Sequence, residues 1–201
     1  MTPLKKSFIL IFIILLIDQL VKFWIKTNLM LGEEIPVFGN WFIIHFVENN
    51  GMAFGMELSW KFGKMFLSVF RIAAVVLIGW YLIKLSKSEA HQWLLYSVAL
   101  VFVGAVGNII DSVFYGVIFS DSYSQVATLF PTDGGYSSFL HGKVVDMLYF
   151  PIIKGTYPEW IPLKGGETFI FFRPVFNIAD SAITIGISII LIFQKRFFKE
   201  K

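Results

Sequence analysis

The sequence has no cysteine, which removes a thiol nucleophile, a disulfide framework and a thiolate-bound metal from consideration. Its three histidines, His45, His91 and His141, are too scattered to suggest a metal cluster. Charge is scarce too: 15% of the 201 residues are charged, and no basic stripe points to nucleic acid. There is no internal repeat and no low-complexity tract. The first apolar run begins after Lys5 and Lys6 as a signal peptide would, but no small-residue cleavage site follows it, so it is expected to stay as a helix.

What is present is apolar: 56% of the residues are hydrophobic and the mean hydropathy is +0.71, far outside the range of a soluble domain of this length. The expected fold is an all-α membrane protein in one domain covering residues 1–201. Four transmembrane helices are expected at about residues 8–25, 65–83, 93–110 and 177–193, each long enough for about 30 Å of hydrocarbon. Lys5 and Lys6, Lys84 and Lys87, and Lys195, Arg196, Lys199 and Lys201 flank these runs, which puts both termini in the cytoplasm. Outer loops then cover about residues 26–64 and 119–175. The alternation of Trp41 to Val47, with Pro36, Gly39 and Asn40 as turn signals, predicts a small extracytoplasmic β-sheet on the membrane surface. The second outer loop is long and carries apolar patches at residues 149–153 and 169–172, so a functional role is expected of it.

Three acids stand where hydrocarbon is expected: Asp18 in the first run, Asp111 ending the third and Asp180 opening the fourth. Charge at membrane depth is expensive and marks a functional site by default. Asp111 lies about 27 Å along its helix from Trp93, Asp18 about 15 Å from Phe8, and Asp180 close to the start of its helix. All three fall in the outer half of the bilayer, and Asp146, in the apolar stretch around Val144, Val145 and Met147, is placed to reach the same layer.

Each residue also has a plainer reading. Asp18 and Lys22, four apart, can pair only to orient helix packing. Asn108 and Asp111, three apart, can be interhelical hydrogen-bond glue. Asn177 and Asp180 read as a helix start, with Asn capping and Asp near the positive end of the dipole. Arg71 can snorkel to the interface or meet lipid phosphate.

Taken together, Asp18-Gln19-Leu20-Val21-Lys22, Glu48-Asn49-Asn50-Gly51-Met52-Ala53-Phe54-Gly55, Gly107-Asn108-Ile109-Ile110-Asp111, Val144-Val145-Asp146 and Phe176-Asn177-Ile178-Ala179-Asp180-Ser181 resemble, in order and in place, the lipoprotein signal peptidases, the type II signal peptidases of bacteria. The resemblance implies a membrane aspartic endopeptidase of the bacterial inner membrane that cleaves prolipoproteins on the amino side of a diacylglyceryl-modified cysteine. It implies Asp146 and Asp180 as the catalytic pair. Asp18, Lys22, Asn49, Gly51, Asn108, Asp111 and Asn177 map onto the family's other polar site residues, as substrate-holding or site-ordering groups. The expected partners are the lipid-modified precursor and membrane lipids, with no nucleic acid, and the chain is expected to be a monomer without cofactor or metal.

Two departures from the family pattern accompany this. Its third motif usually continues with Arg, where this chain has Ser112, and Arg71 and Arg173 are the candidates to supply the missing cation. The outer loop also has a long segment before Val144 and another after Phe150.

The chemistry fits two acids: peptide hydrolysis needs a base for water and an acid for the carbonyl oxygen and the leaving amine. Carboxyls about 3 Å apart cannot both ionise, so one pair holds both roles. Asp180, at a helix amino end, is expected to be the more ionised partner and Asp146 the proton holder. Gly51, Ala53 and Gly55 leave room for an extended substrate beside Asn49, although they also read as a turn ending a strand. The alternatives are a proton- or ion-coupled transporter, which predicts repeats and broken helices that this sequence lacks, and a non-catalytic anchor protein. A presenilin-like protease is a closer rival, but its Gly-x-Gly-Asp signature is absent.

Overall fold

The first apolar run folds as α1, Pro3–Asn28. The Thr2 hydroxyl caps it by accepting from Lys5 N at 3.4 Å, and Pro3 stands in the first turn, where a missing N–H costs nothing. Its faces are reversed from the soluble pattern. Asp18, Lys22 and Lys26, one turn apart, are 1%, 0% and 0% exposed, whereas Phe12 and Leu20 on the other side are 66% and 60% exposed. A helix in lipid turns its apolar side chains outward and gathers its polar ones inside.

The computed structural model describes residues 1–51, 63–88, 90–171 and 174–198. Within them, α2 is Gly63–Ser86 and α3 is Gln92–Ile110. α3 runs on through a π turn, Asp111–Tyr115, into the short α4, Gly116–Ile118. α5, Ile178–Ile192, and the short α6, Gln194–Phe197, follow the outer region. Three stretches, α1, α2 and the continuous Gln92–Ile118, are long and apolar enough to cross a membrane. The fourth expected run, about residues 177–193, folds as α5 with both ends within one residue of the expectation, but at 15 residues it is shorter than the three spanning stretches.

α3 is the central helix, packed against α1, α2 and α5. Small residues let it approach so closely: a Cβ on Gly107 would lie 2.7 Å from Asp18 Oδ2 and 3.1 Å from the Ala179 side chain. Contact of this kind is how helices associate where lipid removes the hydrophobic drive between them.

The small sheet expected in the outer region is present, and among the described residues that region holds six strands, more β-structure than an all-α class conveys. β1 (Glu34–Phe38), β2 (Phe42–Asn49), β3 (Val144–Tyr149) and β6 (Val175–Phe176) make an antiparallel sheet in the order β1-β2-β3-β6. Pro36 sits on the edge strand β1 at a register shift, one of the few places a strand tolerates proline. β4 (Ile153–Thr156) and β5 (Thr168–Phe171) form a separate hairpin; β5 covers most of the second apolar patch, while β4 begins only where the first one ends.

β2 carries a bulge. Ile44 faces Leu148 but Val47 faces Asp146, so β2 uses one more residue than β3 over that span. Bulges re-aim side chains and recur beside active sites. Beyond it, Glu48 pairs with Val145 and Asn49 with Val144, which sets Asn49 beside Asp146.

Two hydrophobic clusters flank a polar layer. One joins Ile25, Phe46, Tyr115, Phe119, Val145 and Met147 under the sheet, and the other joins Leu82, Leu94, Leu95, Val98 and Ala99 at the opposite end. Along α1 and α3, Asp18, Lys22, Asn108 and Asp111 fall between them.

Candidate active site

Lys22 is the hub of the polar layer. Its Nζ lies 3.1 Å from Asp18 Oδ2, 2.8 Å from Asp111 Oδ2 and 3.0 Å from Asn108 Oδ1. An ammonium has three N–H donors, and three acceptors meet them. Asp18 uses its other oxygen to accept from Ala179 N at 2.9 Å, in the first turn of α5. Asp111 accepts from Val145 N at 3.1 Å, in the middle of the sheet. The Gln19 amide bridges the two acids, at 3.0 Å from Asp18 and 3.1 Å from Asp111, and its carbonyl accepts from the Tyr115 hydroxyl at 3.3 Å. The pairing of Asp18 and Lys22 within α1 is therefore one strand of a network that ties α1, α3, α5 and β3 together. No buried side-chain N or O atom among the described residues lacks a partner.

Asn177 and Asn108 carry the two remaining acids. Asn177 caps α5: its carbonyl accepts from Asp180 N at 2.8 Å, and Asp180 in return accepts from Asn177 N at 3.3 Å, a complete capping box. The Asn177 amide donates to Asp146 Oδ1 at 2.7 Å and to Asn108 Oδ1 at 3.0 Å. The Asn108 amide donates to Asp180 Oδ1 at 2.8 Å. Asp146 and Asp180 thus hang from two neighbouring amides, one on a strand and the other at a helix start. Asn177 is at once the cap expected from the sequence and the link between the two acids.

Asp146 is 3% exposed and accepts a third bond, from Asn49 at 3.2 Å. Burial pushes its carboxyl up to about 7, and the charge of Asp180 adds to the push. The bonds from Asn49 and Asn177 and the charge of Lys22 pull the other way. A carboxyl that titrates near neutrality beside a second acid can hold a proton for transfer.

Gly51 closes the site on the side of α2. Its φ of +97° lies in the region only glycine enters freely, its N–H donates to Asn49 Oδ1 at 2.8 Å, and its carbonyl accepts from Arg71 Nη2. Arg71 therefore does not simply snorkel away from the protein. Ser112, where the resemblance leads one to expect Arg, is buried and turns its hydroxyl back onto Asn108 O at 3.0 Å.

The nine residues expected at the site, Asp18, Lys22, Asn49, Gly51, Asn108, Asp111, Asp146, Asn177 and Asp180, are joined by this one network. Met52, Ala53, Phe54, Gly55 and Arg173 lie outside the described residues. Sequence reasoning missed Gln19 and Tyr115, although a second polar side chain beside Asp18 in an apolar run was the available signal. It also missed Lys26, which repeats the step of four from Asp18 to Lys22. Lys26 Nζ lies 2.6 Å from Glu48 and 2.7 Å from Ser122 Oγ, and Lys143 reaches the other Glu48 oxygen at 3.0 Å. This second network clamps the outer loop to α1 and β2, next to Asn49.

A sequence model of signal peptidase II matches residues 10–196. A lipoprotein signal peptidase of Porphyromonas gingivalis is 51% identical over 188 residues, covering 93% of this chain and 81% of the relative. One of Amoebophilus asiaticus is 36% identical over 182 residues, covering 89% of this chain and 73% of the relative. Two solved chains, each described as a bacterial membrane enzyme, share the fold with TM-scores of 0.63 and 0.62 at 24% and 25% identity. They cover 98% of this chain and 93% and 95% of their own lengths.

Proposed function

The chain belongs to the signal peptidase II family, and from that premise we propose that Asp146 and Asp180 are the pair with which it hydrolyses prolipoproteins. The scissile bond lies on the amino side of a diacylglyceryl-modified cysteine. The observation that carries this reading is the mounting of the two acids on Asn177 and Asn108, with Asp146 buried and raised to about 7.

Asp180 is the base. It takes a proton from a water held between the two carboxyls while the water oxygen attacks the scissile carbonyl carbon. Asp146 gives its proton to the carbonyl oxygen, forming a tetrahedral diol. Collapse of the diol breaks the C–N bond, the leaving nitrogen takes the proton now on Asp180, and a diol hydroxyl returns a proton to Asp146. The pair begins and ends with one proton, so no metal or cofactor enters the cycle.

The substrate's lipid explains the depth of the site. Its acyl chains stay in the outer leaflet, which sets the scissile bond near the interface. α5 serves as the fourth span although 15 residues reach only about 22 Å. It begins at the level of Asp18 and Asn108, inside the membrane, and α6 with Lys195 and Arg196 continues it to the cytoplasmic face. Both termini are cytoplasmic in this arrangement, in the inner membrane of a bacterium, and the enzyme acts as a monomer. The transporter reading gains no support: the relatives are peptidases.

The test is cleavage of a diacylglyceryl-modified precursor by Asp146→Asn and Asp180→Asn in the full chain. Each variant is expected to fold and to lose processing, and a precursor without lipid is expected to be a poor substrate for the parent. Normal processing by either variant overturns the assignment.

A further inference from the structure

Between Met65 and Ile83, α2 carries a single formal charge, Arg71. A guanidinium at that depth is retained only where something needs it. Among the described residues no carboxylate lies within 4.0 Å of Arg71. Its Nη2 donates to the carbonyl of Gly51. The acids whose charge acts on it are Asp180 first, then Asp146, then Asp111.

Gly51 relays the contact. Its N–H bonds Asn49, and Asn49 bonds Asp146, so a continuous line runs from α2 to the acid on β3. The φ of +97° is what requires the glycine, and the missing Cβ also lets the Arg71 guanidinium lie directly against its backbone. In the π turn after α3, meanwhile, the position where the resemblance leads one to expect a cation holds Ser112, whose hydroxyl is turned back onto Asn108 O.

We propose that Arg71 is the cation of the active site, supplied from α2, and that it holds the substrate backbone against Asp146 and Asp180. The assignment rests on the peptidase reading above. A guanidinium offers five N–H donors in a rigid fork, and the Gly51 carbonyl uses one, so a substrate carbonyl beside the scissile bond can be held by the others. The positive charge also keeps one carboxyl of the pair ionised. Among the described residues, Lys22 from α1 acts on Asp146, Arg71 from α2 acts on both acids, and Asp18 and Asp111 stand behind Lys22.

The experiment compares the parent, Arg71→Ala and Arg71→Lys, as full-length protein in lipid, on a diacylglyceryl-modified precursor across pH. Arg71→Ala is expected to lose about 100-fold or more in kcat/KM, the scale of removing one preorganised donor. Its acid limb should move to higher pH, because losing a nearby cation makes the ionised carboxyl harder to form. Arg71→Lys keeps the charge without the fork, so its acid limb should stay in place while only part of the rate returns. Parental rates for both variants overturn the proposal. So does an equal loss in both variants with the acid limb unmoved, the mark of a role in helix packing alone. Either result leaves the roles of Asp146 and Asp180 intact, since those stand on their own Asn variants.

Discussion

Asp111 accepts from the backbone N–H of Val145 at 3.1 Å, fastening the residue before Asp146 to the end of α3. The same oxygen meets Lys22 at 2.8 Å. A sheet strand is thereby locked to a lysine buried among the helices, and the position of Asp146 depends on both. The stability of the membrane core and the geometry of the acids on the sheet are consequently linked.

Lys22→Leu removes the cation between two fully buried carboxylates. Breaking such a network leaves uncompensated charge and costs about 3–5 kcal/mol. Thermal unfolding in detergent should show a large drop in midpoint, with cleavage falling alongside it. A variant as stable as the parent would mean that Asp18 and Asp111 are held by their backbone bonds alone.

Asp146, raised to about 7, is the acid in the proposed cycle. As pH rises through that value the proton leaves, so kcat/KM should fall on the alkaline side from about pH 7 upward. The Asn49 bond favours the ionised form and lowers this value. Asn49→Ala should therefore move the alkaline limb to higher pH, which a pH–rate profile of the two proteins reads directly.

Asn177→Asp keeps the cap and breaks the link between the two acids. Its oxygen can still cap α5, so the loss of about 1 kcal/mol that Asn177→Ala would bring through the cap is avoided. It also places a third carboxyl against Asp146 and gives up the donor that reaches it at 2.7 Å. Asn177 is fully buried, so the new carboxylate would stand unpaired against the oxygens of Asp146 and Asn108. The expected outcome is cleavage lost together with a fall in the unfolding midpoint larger than the one Asn177→Ala brings, measured on one preparation.

The two lysines on Glu48 should behave differently. Lys26 is fully buried, and Glu48→Ala strands it, at a cost of about 3–5 kcal/mol. Lys143 is 33% exposed, so Lys143→Ala should cost less than about 1 kcal/mol. Comparing the two unfolding midpoints tests whether the clamp on the outer loop lies in the buried half of this network.

The apolar runs, their ends and the unusual acids within them were legible because each is a local property. Lipid selects long apolar helices, and a charge inside one is conspicuous wherever the rest of the chain goes. The cap at Asn177 was readable for the same reason, since residues three apart define it. Which partners those groups take was not local. Asn108 meets Asp180 across 72 positions and Lys26 meets Ser122 across 96, and no spacing rule reaches so far. The bulge in β2 and the turning of Arg71 onto Gly51 were likewise decided by tertiary structure. The sequence by itself determined that polar groups would gather in one layer, because hydrocarbon admits them nowhere else. Packing around α3 alone decided that Asn177 and Asn108 would stand between the two acids, since only close helix contact brings those amides into one place.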